Sequence, residues 1–131
     1  MKFLGTCPGV GLALTSGRLL FPIYYSIGDD YNKENVALIY TDDKGKTFHR
    51  SRSINFGKDE LIGDLEFNTS ESQLVELNNG HVMIFVRNTS GKVLYAISKD
   101  MGETFSDLRQ VDFDSTSTCM VSVLKLSLIH I

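Results

Sequence analysis

The strongest constraint on this 131-residue chain is an octapeptide that occurs twice. Thr41-Asp42-Asp43-Lys44-Gly45-Lys46-Thr47-Phe48 and Ser98-Lys99-Asp100-Met101-Gly102-Glu103-Thr104-Phe105 both read (Ser/Thr)-x-Asp-x-Gly-x-Thr-Phe, and they start 57 residues apart. A fixed period of this size marks an array of similar supersecondary units. The likeness extends upstream, where Gly9 to Phe21 matches Ser72 to Ile84 as strand, glycine turn, strand. A third strand is expected at 36–40 and again at 93–97, rich in Val, Ile, Leu and Tyr and bounded by Gly, Asn, Asp and Ser. Each unit therefore reads as four strands, A to D, with the octapeptide joining C to D. Four-stranded antiparallel units in series predict propeller blades, and no amphipathic helix is expected in the all-β chain.

The octapeptide has a local physical task. Gly45 and Gly102 are free to take the positive φ of a tight turn. Asp43 and Asp100, with the hydroxyls of Thr41 and Ser98, are placed to accept hydrogen bonds from the turn's own N–H groups, and Thr47 and Thr104 complete the pattern. Phe48 and Phe105 are expected to bury their rings between neighbouring sheets. One carboxylate per loop provides too few oxygen ligands for calcium, so the element reads as a turn staple, and neither a metal nor another cofactor is expected.

Composition narrows the function classes. Hydrophobic residues make up 42% and charged residues 22%, ordinary for a globular domain. A net charge of −3 with no basic run argues against nucleic acid as a partner. No apolar stretch reaches membrane-spanning length. The opening MKFLGTCPGVGLAL is broken by Pro8, Gly9 and Gly11, and it reads as a first strand rather than a signal peptide. Cys7 and Cys119 have no metal-type spacing, and neither their pairing nor a redox compartment follows from them. His49 and His81 are isolated and are not expected to be catalytic.

The octapeptide resembles the Asp-box of sialidases. Gly17 to Tyr24 (GRLLFPIY) resembles a sialidase strand, and Asn68 to Gly80 (NTSESQLVELNNG), followed by Phe85-Val86-Arg87-Asn88, is similar to bacterial exo-α-sialidases. The resemblance runs over roughly residues 5–125. It implies part of a six-bladed β-propeller across 1–125, with one blade at 5–53, a second at 70–113 and the start of a third at 119–125. Residues 126–131 read as a non-native tail. The implied activity is retaining hydrolysis of terminal α-linked sialic acids, with sialylated glycans as partners and a secreted or cell-surface setting. The family site uses three arginines for the substrate carboxylate, an aspartate acid/base, and a tyrosine nucleophile assisted by a glutamate. Glu71 resembles that glutamate and Arg87 the second arginine, while no position here matches the other four. A non-catalytic Asp-box binding module and a trans-sialidase are the alternatives.

Strand polarity gives an independent reading of the same residues. In an antiparallel blade the A–B and C–D turns share one end. Arg87 closes strand B and Glu71 precedes strand A, so both are expected on the rim opposite the Asp-boxes. Arg87 follows its turn glycine, Gly80, by seven positions, and Tyr24 follows Gly17 by seven. Tyr24 or its neighbour Tyr25 is therefore expected to line a pocket and touch substrate. The connection around 26–35 rises on the same face as a candidate specificity loop. The acidic one at 55–68, with Asp59, Glu60, Asp64 and Glu66, reads as solvated.

Overall fold

The computed structural model describes residues 3–26, 34–54, 68–111 and 121–126. Most of the two long connections, including Asp59, Glu60, Asp64 and Glu66, lies outside the described residues, as do Cys119 and tail residues 127–131. Every regular element described is a strand: β1 (Phe3–Thr6), β2 (Leu12–Ala13), β3 (Leu19–Ser26), β4 (Glu34–Thr41), β5 (His49–Arg50), β6 (Thr69–Glu76), β7 (Val82–Asn88), β8 (Leu94–Ser98) and β9 (Arg109–Gln110). They form two antiparallel sheets. One has the order β1-β3-β4-β5 with β2 also on β3, and the other β6-β7-β8-β9. Each is one propeller blade. Residues 121–126 form no strand, and Leu124 and Leu126 stand exposed.

Strand A of the first blade is not the single strand expected from Gly9 onward. It splits, with β1 running against the far half of β3 (Thr6 opposite Ile23) and β2 against the near half (Leu12 opposite Leu20). The break lies opposite Pro22. The Pro22 carbonyl accepts from the Cys7 N–H at 3.2 Å, so the N–H that proline lacks also faces strand A, and the ladder is interrupted there.

The sheets pack face to face because apolar residues alternate along the strands. β7 buries Val82, Ile84 and Val86. Together with Leu74 and Ala96 they meet Leu20, Val36, Leu38 and Ile54 of the first sheet in one core. The other face of the first sheet carries Ile23, Tyr25 and Ala37 as a separate cluster.

The two octapeptides have the same internal wiring. Thr41 Oγ1 accepts from the Gly45 N–H (2.9 Å) and donates to Asp43 (2.8 Å), and Asp43 accepts from both the N–H (2.8 Å) and the hydroxyl (2.6 Å) of Thr47. Ser98, Gly102, Asp100 and Thr104 repeat each bond. Gly45 and Gly102 have φ of 87° and 89°. These bonds, led by the Thr47 hydroxyl, lower the Asp43 pKa to about 2. Burial pulls Asp100 upward, yet the Thr104 and Ser98 bonds outweigh it and leave that carboxyl lowered as well. A carboxylate depressed on folding adds stability above its unfolded value of about 3.9, and the gain is lost as pH falls through the folded value. Chemical denaturation between pH 5 and 2 should therefore show a falling midpoint. Asp43→Asn and Asp100→Asn should each flatten that fall, and identical slopes in wild type and variants would exclude the boxes as its source.

The second box docks on the first sheet. A Cβ on Gly102 would lie 3.0 Å from Leu38 and 3.1 Å from Leu20, and the Arg52 N–H donates to the Glu103 carbonyl at 3.1 Å. Buried Arg18 forks onto Asp42 of the first box (2.8 and 2.9 Å). It also reaches Glu103 (3.0 Å) and the Met101 carbonyl (3.2 Å) of the second, over the Tyr40 ring at 4.2 Å. Phe105 is accordingly half-buried against the core. Phe48 departs from the expectation of a buried ring and is 56% exposed. The second box packs on the sheet before it, but no described sheet precedes the first, and Phe48 meets only the Phe21 ring among described aromatics, at 6.5 Å.

Candidate functional site

The end of the sheets away from the boxes is built by a bulge. In the β6–β7 ladder Thr69 faces Asn88 and Ser72 faces Val86, so Ser70 and Glu71 together oppose Arg87. Glu71 thus lies inside a strand, not ahead of one as its sequence position implied. A bulge redirects a side chain that regular pleating would fix, and bulges recur beside active sites. Here it brings Glu71 onto Arg87, whose Nη1 donates to Glu71 Oε2. The Arg87 side chain is 41% exposed and that of Glu71 19%, so the pair opens to solvent. The β3–β4 ladder ends on the same rim, where Ser26 faces Glu34.

A polar clasp joins the two sheets at this rim. The Glu34 N–H donates to Asn68 Oδ1 (2.7 Å), Asn68 Nδ2 donates to Glu34 Oε2 (3.2 Å), and Thr69 Oγ1 donates to the Glu34 carbonyl (3.1 Å). Asn68 is itself tied across β7 to Thr89 by bonds of 2.9 and 3.1 Å. Asn88 fixes the turn after Arg87 by donating to the Val86 and Lys92 carbonyls and accepting from the Ser90 N–H. Glu34, Asn68, Ser70, Arg87, Asn88 and Thr89 line an open cleft of about 180 Å³. Of these, only Arg87 is legible as a site residue in the sequence. The Asn-Thr-Ser-Gly run at 88–91 signals a turn but not its part in a cleft wall.

Tyr24 and Tyr25 go to opposite faces. The Tyr24 ring lies across Gly5, where a Cβ would fall 2.6 Å from it, and leans on Phe3 at 5.5 Å. Burial raises the Tyr24 phenol pKa, and the charges of Glu71 and Glu34 raise it further, so it stays a neutral donor beside the rim pair. Tyr25 does not join this group. It is 3% exposed on the far face, its hydroxyl bonded to Ser53 with Arg50 at 3.5 Å. Of the two tyrosines expected at the pocket, only Tyr24 lies beside the rim pair, because strand alternation sends neighbouring side chains to opposite faces and packs Tyr25 with Ile23 and Ala37.

The remaining titratable groups divide cleanly. Cys7 is pushed up to about 11, chiefly by burial, and receives the Ser72 N–H at 3.2 Å, so it is a packed thiol and not a nucleophile. Burial, aided by the charge of Glu71, raises the Glu34 carboxyl. His49 stacks on Tyr40, and His81 bonds Asn79 in an A–B turn. Among the described residues no group of three His, Cys, Asp or Glu side chains is arranged to hold a metal ion. The rim thus offers a guanidinium, two carboxylates, a neutral phenol and several amides and hydroxyls. That set suits an anionic, hydroxylated ligand.

Comparison with known proteins agrees with this reading of the fold. The chain is 30% identical to a sialidase of Bacteroides fragilis (strain YCH46) over 106 residues, covering 80% of this chain and 17% of that protein. It is 31% identical to an anhydrosialidase of Macrobdella decora over 110 residues, 81% of this chain and 13% of the relative. The solved structure of the NanB sialidase from Streptococcus pneumoniae superposes with a TM-score of 0.66 at 33% identity, covering 88% of this chain and 15% of that one. The chain therefore spans less than a fifth of each relative's length. The BNR repeat-like domain family matches residues 2–127, and the chain belongs to that family.

Proposed function

We propose that this chain supplies part of the catalytic face of an exo-α-sialidase that cleaves terminal α-linked sialic acids from glycans with retention. The reading rests on one observation: the bulge that pairs Glu71 with Arg87 on the solvent-facing rim opposite both Asp-boxes. Sialic acid carries a carboxylate on its anomeric carbon. A guanidinium holds a carboxylate through two parallel N–H bonds and keeps its charge at any working pH, which an ammonium does only as a point charge. Arg87 takes that task. A carboxylate nucleophile would approach a carbon already flanked by negative charge, and sialidases use tyrosine instead. Phenol ionises near pH 10 and needs a base, the role assigned to Glu71 toward a tyrosine outside this chain. Tyr24, a neutral phenol beside the pair, is assigned to substrate contact.

The likeness to an anhydrosialidase supports a second reading, in which a substrate hydroxyl replaces water as acceptor on the same face. Either way, this chain matches only two of the six residues on which the family site depends. The purified 131-residue chain is therefore expected to release no detectable fluorophore from an aryl α-sialoside, whereas a longer protein containing it turns over. Release by the chain alone, lost on Arg87→Ala, would refute the division of the site. Absence of turnover by the longer protein would refute the activity.

A further inference from the structure

We propose that Glu34 is a specificity-determining residue whose carboxylate receives the hydroxyl-bearing arm of the sugar held at Arg87. This rests on the sialic acid reading above. Glu34 and Arg87 line one cleft from two different sheets, Glu34 opening β4 and Arg87 near the end of β7. Opposite charges on facing walls orient an anionic sugar: its carboxylate goes to the guanidinium, and a neutral, donor-bearing part turns to the carboxylate. The Glu34 side chain is held in place, since Oε2 accepts from Asn68 and the backbone on either side of it is bonded to Asn68 and Thr69. Among the described residues no donor reaches Oε1, which is left to accept from a ligand. The lining also selects between the arms of a sialic acid. All six lining residues are polar, so a chain of neighbouring hydroxyls finds acceptors and donors along the cleft, whereas an acyl methyl group meets no apolar side chain among them.

The test uses the full-length protein that carries this chain and two ligands. One is N-acetylneuraminic acid, and the other is its analogue with the glycerol arm shortened to a single hydroxymethyl. Affinity is read by calorimetry or saturation-transfer NMR, with the thermal midpoint as a folding check. Glu34→Gln and Glu34→Ala are expected to weaken binding of the intact sugar roughly ten- to a hundredfold, the range of a hydrogen bond to a charged group, and to leave the shortened analogue within about twofold. Asn68→Ala, which removes the clasp and keeps the carboxylate, should not discriminate between the ligands. Equal losses for both ligands in the Glu34 variants, or no loss for either, would overturn the assignment. If a folded wild-type protein binds neither sugar, the sialic acid reading fails and this inference falls with it.

Discussion

Arg87→Ala in the full-length protein is expected to lower kcat/KM on an aryl α-sialoside by at least about a hundredfold. Truncating one partner of a hydrogen-bonded charge pair in a site typically costs 2–5 kcal/mol, about 30- to several-thousandfold. Two losses combine here. The substrate carboxylate loses a two-pronged partner, and Glu71 loses the guanidinium that now donates to it. Arg87→Lys should recover only a small part, because an ammonium keeps the charge without the planar fork. Glu71→Gln is the informative companion. A base acting through a tyrosine lowers kcat with KM nearly unchanged, whereas loss of a mere ion pair would shift KM in step with Arg87. An Arg87→Ala protein within threefold of wild type would remove Arg87 from substrate recognition altogether.

The second large effect concerns stability and sits at the other rim. Gly102→Ala in the 131-residue chain is expected to destabilise it by about 2–5 kcal/mol, against about 1–2 kcal/mol for Gly45→Ala. Both glycines hold a left-handed backbone, φ 89° and 87°, which costs an L side chain roughly 1–2 kcal/mol. Only Gly102 faces a packed neighbour. Its new methyl would press on Leu38 and Leu20 at 3.0–3.1 Å, an overpacking term of roughly 1–3 kcal/mol, whereas at Gly45 the nearest atom is the Phe48 ring tip at 3.6 Å. Denaturant midpoints of the two variants measure the difference directly. Equal destabilisation would mean that the second box does not dock on the first sheet.

The parts of this molecule that are legible in sequence are those built by local chemistry. The box turns follow from a hydroxyl, a carboxylate and a glycine within a few positions of each other, and the A–B turns from a single glycine each. Seven residues onward from those glycines, the count reaches Tyr24 and Arg87 on the far rim. Strict alternation already separates Tyr24 from Tyr25, a signal present in the sequence and easily overlooked at a strand end. The less legible features depend on a partner strand or sheet. The split of strand A is decided by a proline on the neighbouring strand. The bulge at Ser70 and Glu71 is a matter of register, which no single strand reports. Phe48 and Phe105 have the same motif position and different burial, because only one of them has a sheet to lean on. Glu34 reads as one more acidic residue at the end of a loop, and its place in the cleft emerges only when Asn68 of the next sheet clasps it.

Arg18 gives this architecture a thermodynamic direction. One side chain in the first sheet satisfies acceptors in its own box and in the box of the following sheet. Opening the seam breaks the Arg18 bonds to Glu103 and the Met101 carbonyl together with the core shared by the two sheets. In a linear array this is a nearest-neighbour coupling, in which the folding of each unit is conditional on the adjacent one. Two blades wired in this way should melt as a single cooperative transition, and any local opening should begin at the outer strands β5 and β9, two residues each, instead of at the seam between them.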